Sequence, residues 1–124
     1  MILATSNKAQ RLLYLKMFGE ITAAEMHAHE AEVRGLAVDL GEGFRLLNDL
    51  TELDSMDEEC VPVLGEMMDF FKSCGIEMVV RIIPDQRKDI GLNILSIFHY
   101  GRGFRVVTCP DFAEALRLLK VQSA

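Results

Sequence analysis

The stretch Phe44–Pro84 switches between two hydrophobic periods, and that switch constrains the fold more than any other feature of the chain. Phe44–Leu50 is a short apolar run, and Ile76–Ile83, IEMVVRII, is the most β-rich segment. Such a run suits a strand buried on both faces. Between the two, Val61, Leu64, Met67, Met68, Phe71 and Cys74 recur at helical spacing. Gly75 then supplies a left-handed helix stop. A strand, a helix and a second strand in this order require a crossover, so the two strands pair in parallel. An acidic turn, punctuated by Leu53 and Met56, sits at the mouth of the first strand.

The flanks extend the same grammar. Arg11–Phe18 is a strand, with Ile2–Thr5 as a short edge strand ahead of it that is free to run antiparallel. Thr22-Ala-Ala-Glu25 is a capping box, so a helix is expected from about Ala23 to Leu40. Its inner stripe is Met26, Val33, Leu36, Ala37 and Leu40, and Gly41-Glu-Gly43 ends it. The start of the next helix has two readings. Ser55-Met-Asp-Glu58 is also a capping box, but it would place Pro62 inside the helix, where proline removes a hydrogen bond. Asp57 as the cap brings Pro62 closer to the first turn and is preferred, to within about two residues. A third helix is expected over Gln86–Tyr100, ended by Gly101, then a strand at Phe104–Thr108 and a terminal helix carrying Leu116, Leu118 and Leu119. The expected architecture is α/β: one domain over residues 1–124, a mixed, mostly parallel sheet of four to five strands, and about four helices.

Charge narrows the class of partner. The chain holds 13 Lys and Arg against 19 Asp and Glu, which disfavours nucleic acid, whose phosphates reward a basic surface. The whole excess lies in residues 1–62, with five basic against twelve acidic side chains, where an acidic face either stays solvated or steers a basic partner. No run of 18 apolar residues and no signal peptide are present, so a cytoplasmic location is expected. Cys60, Cys74 and Cys109 form a poor disulfide framework; Cys74 and Cys109 read as small buried hydrophobes.

Candidate chemistry is sparse. His27 and His29 lie two apart on a helix, point in different directions and cannot easily share a metal ion. Asp49, Asp54 and Asp57 could cluster at a strand's C-terminal edge, where α/β sheets host ligands, but no calcium-loop spacing is present. His99 complements the end of the third helix, and no nucleophile is placed beside it by sequence. No metal, no cofactor and no enzymatic activity are expected.

Three segments carry a family resemblance. Asp49-Leu50-Thr51, then Leu53, then Asp57-Glu58-Glu59-Cys60 follow the offsets of a strand ending Asp-Leu-Ser and a helix opening Asp-Ser-Ser-Gly. The chain thereby resembles the STAS fold of bacterial anti-sigma-factor antagonists of the SpoIIAA type. GEITAAEM at Gly19–Met26, NDLTEL at Asn48–Leu53 and DIGLNILSIFHYGR at Asp89–Arg102 resemble the divergent SpoIIAA-like group more closely. The resemblance implies a non-enzymatic regulatory module with a protein partner. Its partner surface would be Asp49, Thr51, Asp54, Ser55, Asp57, Glu58 and Glu59. In the regulatory domains a serine at this helix start is phosphorylated. Here Glu58 and Glu59 hold the two serine positions, so the usual phosphoswitch is absent, and either a constitutive charge mimic or ordinary helix-start acids explain them. Ser55 and Thr51 remain as substitute hydroxyls.

An alternative follows from the third helix, which is apolar on more than one side and flanked by Arg87, Lys88, Arg102 and Arg105. The SpoIIAA-like group resembles lipid carriers of the CRAL-TRIO kind. That implies a binding module for a small apolar ligand or a membrane surface, using Arg87, Ile90, Ile94, Phe98 and His99, with Gly91 as a hinge. Apolar residues left over on the same helix could equally make a homodimer contact.

Overall fold

Thr22 begins the first helix as its sequence requires: its hydroxyl accepts from the Glu25 amide at 3.1 Å, and α1 runs Ala23–Leu40 in the computed structural model. The structure describes residues 1–83 and 104–123, the last four by backbone alone. The expected third helix lies outside the described residues, and with it Arg87, Ile90, Gly91, Ile94, Phe98 and His99.

Seven strands are described: β1 Ile2–Asn7, β2 Leu12–Met17, β3 Gly19–Ile21, β4 Arg45–Asp49, β5 Leu53–Met56, β6 Met78–Ile82 and β7 Arg105–Cys109. Helix α2 spans Cys60–Ser73 and α3 spans Phe112–Ser123. The main sheet has the order β1-β2-β4-β6-β7. β1 is antiparallel to β2, and the other neighbours are parallel. This is the expected mixed sheet, with three helices among the described residues.

Strand alternation divides the interior in two. On one face Leu13, Leu15, Leu46 and Val79 pack under α1 and α2; on the other Leu47, Met78, Val80 and Ile82 pack with Ala115 and Leu119 of α3. All five residues of β4 and of β6 are buried, as strands covered on both faces must be. The left-handed Gly43 and Gly75, at φ +88° and +83°, end the connections into β4 and β6. Gly43 donates to the Gly75 carbonyl at 2.8 Å, which sets the two strand starts side by side. Among the described residues no helix is long and apolar enough to cross a membrane.

Three expectations need correction. Leu53–Met56 is a strand, not part of a turn: β5 pairs in parallel with β3, a three-residue strand that the sequence does not signal. Asp57 does not cap α2. Glu59 occupies that position with no side-chain hydrogen bond, while the Asp57 backbone carbonyl accepts from the Cys60 amide at 2.9 Å. Pro62 therefore falls in the first turn, where its missing N–H costs nothing. Val61 is 49% exposed, because the later start rotates Cys60 and Val63 inward in its place.

Candidate functional site

The acidic segment is pinned by its apolar residues. Leu50 and Leu53 are buried and Met56 is half-buried. The Leu50 amide donates to Ile82, the Gly19 amide to Glu52 and the Asp57 amide to Ile21. With those side chains turned in, Glu52, Asp54, Ser55, Asp57, Glu58 and Glu59 all lie exposed. Below them Cys60 is fully buried, its thiol 3.6 Å from the Ile21 carbonyl, and burial raises its pKa. A side chain larger than the glycine of the resembling pattern thus locks the start of α2 onto β3.

Asp49 stands apart from its neighbours. It is 5% exposed. One carboxylate oxygen accepts from the Tyr14 hydroxyl at 2.9 Å. The other accepts from the Thr51 amide at 3.1 Å and from the Thr51 hydroxyl. Burial alone would raise the Asp49 pKa, but the bonds from Thr51 and Tyr14, with nearby Lys16, outweigh it, and the carboxyl is held below the usual aspartate range. Burial, then the Asp49 carboxylate, raise the Tyr14 hydroxyl above the tyrosine norm. Tyr14 also meets Phe112 edge-on at 6.3 Å, so the network ties β2 and β4 to the start of α3. Sequence reading missed Tyr14 and Lys16, although alternation along Leu12–Met17 places both on the Asp49 face.

A lowered carboxyl pKa has a signed consequence. The charged form is favoured by folding, so its contribution is present above the unfolded-chain pKa and is lost as pH falls through the folded value. Asp49→Asn is expected to cost about 1 kcal/mol at neutral pH. The wild-type and variant melting temperatures should converge between about pH 5 and pH 2. A gap that stays constant over that range would rule this account out.

The exposed carboxylates are poorly compensated. Lys16 pairs with Glu52. Asp54, Asp57, Glu58 and Glu59 make no ion pair among the described residues. No group of three or more metal-ligating side chains converges among the described residues. His27 and His29 turn to separate partners, Glu30 at 3.9 Å and Glu32 at 3.3 Å. Cys60, Cys74 and Cys109 are free; Cys60 and Cys109 are buried, and Cys74 is partly so.

No protein-family model matches the sequence, and no curated protein matches it. Solved structures do. The Bacillus cell fate determinant SpoIIAA in its phosphorylated form aligns with a TM-score of 0.60 at 14% identity, covering 95% of this chain and 99% of that one. An uncharacterised Shewanella loihica protein of the DUF3478 family with a SpoIIAA-like fold aligns at 0.70 and 17% identity, covering 96% and 92%. A putative anti-sigma factor antagonist from Thermotoga maritima aligns at 0.64 and 14% identity, covering 96% and 94%. The likeness is one of fold: this chain has the SpoIIAA-like fold.

Proposed function

We propose that the chain is a single-domain, non-enzymatic regulatory module that binds a protein partner through the acidic segment Asp49–Glu59 and the start of α2. The observation that carries this reading is the cluster Asp54, Asp57, Glu58 and Glu59, exposed together and without ion pairs among the described residues. A concentrated, unneutralised patch steers and selects a basic surface. The fold shared with anti-sigma factor antagonists supports a protein as the partner. Within the patch the roles divide. Asp54, Ser55, Asp57, Glu58 and Glu59 face the partner, while Asp49 and Thr51 hold the turn in shape. Glu58 and Glu59 carry permanent charge where the resembling pattern has serines, which suits a binder that needs no phosphorylation.

The test is affinity capture from a lysate of the source organism with Glu58→Lys/Glu59→Lys set against wild type. Loss of at least about tenfold in retained partner is expected, with an unchanged circular dichroism spectrum and a melting temperature lowered only slightly, since each reversed charge at a helix start costs about 0.3–1 kcal/mol. A Glu66→Lys control, an exposed charge further along α2, should leave capture intact. Equal capture by the double reversal would sink the proposal.

A further inference from the structure

On the sheet face opposite Asp49, Asn48 stands in register between Leu15 of β2 and Arg81 of β6. Asn48 is 8% exposed, and its carboxamide oxygen has no hydrogen-bond partner. An orphaned buried acceptor is destabilising, and the neighbouring Leu46 and Leu47 show that leucine packs well in this strand. A polar side chain kept at such a position calls for a reason outside packing.

The Asn48 side chain borders a cavity of about 30 Å³ between the sheet and helices α1 and α2, room for about two water molecules. Arg81 adjoins it and donates to the Thr108 hydroxyl at 3.1 Å. Met17, Met26, Met67 and Met68 form much of the remaining wall. Methionine is unbranched and re-packs easily, so these walls can retract around a guest larger than the resting space. His29, partly exposed, also borders the cavity and marks where it approaches the surface.

We propose that this cavity binds a small amphipathic molecule whose head group both donates and accepts hydrogen bonds, a primary carboxamide on a short unbranched chain being the simplest. The head N–H donates to the Asn48 oxygen, its carbonyl dipole faces the Arg81 cation, and the chain lies among the four methionines. The site is independent of the acidic segment and stands or falls apart from it.

The experiment uses the full chain with ¹³C-labelled methionine methyl groups, titrated with hexanamide. Saturable shifts are expected at Met17, Met26, Met67 and Met68, with nuclear Overhauser contacts from hexanamide to the Asn48 carboxamide in the wild type. Asn48→Leu should weaken binding at least about tenfold while the ligand-free protein keeps its fold. Absence of shifts at these methyls up to the solubility limit, or undiminished binding by Asn48→Leu, would overturn the proposal. The wild-type contacts decide the matter even if the variant does not fold.

Discussion

Phe71→Ala is expected to remove about 3–5 kcal/mol of stability. Phe71 is 2% exposed, at the centre of the buried side of α2. Its ring meets Phe44 edge-on, with centroids 5.9 Å apart and planes at 76°, a geometry that adds about 0.5–1.5 kcal/mol beyond area burial. Truncation also enlarges the cavity that Phe71 helps to line. The surrounding walls are strand and helix backbone as well as methionines, so they can fill the gap only in part. A domain of this size holds about 5–15 kcal/mol in total, so the loss is a large share. Urea denaturation measures it directly: the midpoint should fall sharply at unchanged slope. Phe71→Leu, which keeps most of the volume, should lose less than half as much. A Phe71→Ala cost below about 1 kcal/mol is incompatible with the packing described.

The same face shows what the sequence could and could not disclose. Helix α1 is legible to the residue, because Thr22 and Glu25 mark its start and a glycine marks its end. β6 is legible because a β-rich run between glycine and proline has few other uses. β3 and β5 are not legible. They are three and four residues long, too short for a period, and they become strands only because the chain brings Gly19–Ile21 alongside Leu53–Met56. The α2 boundary slipped for a related reason: Asp57 contributes its backbone carbonyl, which no residue type advertises. The acidic segment was visible as composition, and its exposure follows from Leu50, Leu53 and Met56 turning inward. The separate role of Asp49 was hidden. Alternation distinguishes the two faces of a strand, but a strand buried on both faces gives a polar residue no outward side, so Arg45, Asn48, Asp49 and Arg81 all lie inside. The Asn48 cavity forms where four strands of the main sheet meet α1 and α2, and no local pattern encodes it.

Arg45→Met is expected to cost about 2–4 kcal/mol and to loosen α3 selectively. Arg45 opens β4 and is 4% exposed. Its guanidinium donates to the Leu119 carbonyl at 2.7 Å and to the Gln10 carbonyl at 2.6 Å. One cation therefore joins the β1–β2 turn, the central strand and the last turns of α3, where the negative end of the helix dipole favours it. Buried ionic groups can often be exchanged for apolar ones at no net loss, provided both partners are replaced. Here both acceptors are backbone carbonyls and cannot be replaced, so methionine removes both bonds and offers no donor in their place. Arg45→Lys keeps the charge but cannot span two acceptors with one fork, and should fall between the variant and wild type. Arg11 provides the contrast. It donates to the Glu42 carbonyl at 2.8 Å but from an exposed position, where water can take over, so Arg11→Met should cost less than about 1 kcal/mol. Hydrogen exchange completes the test: in Arg45→Met, protection should drop at Ala115 and Leu119 while the amides of α1 keep theirs. Uniform loss across both helices would mean that Arg45 supports the sheet as a whole and does not hold α3 to it.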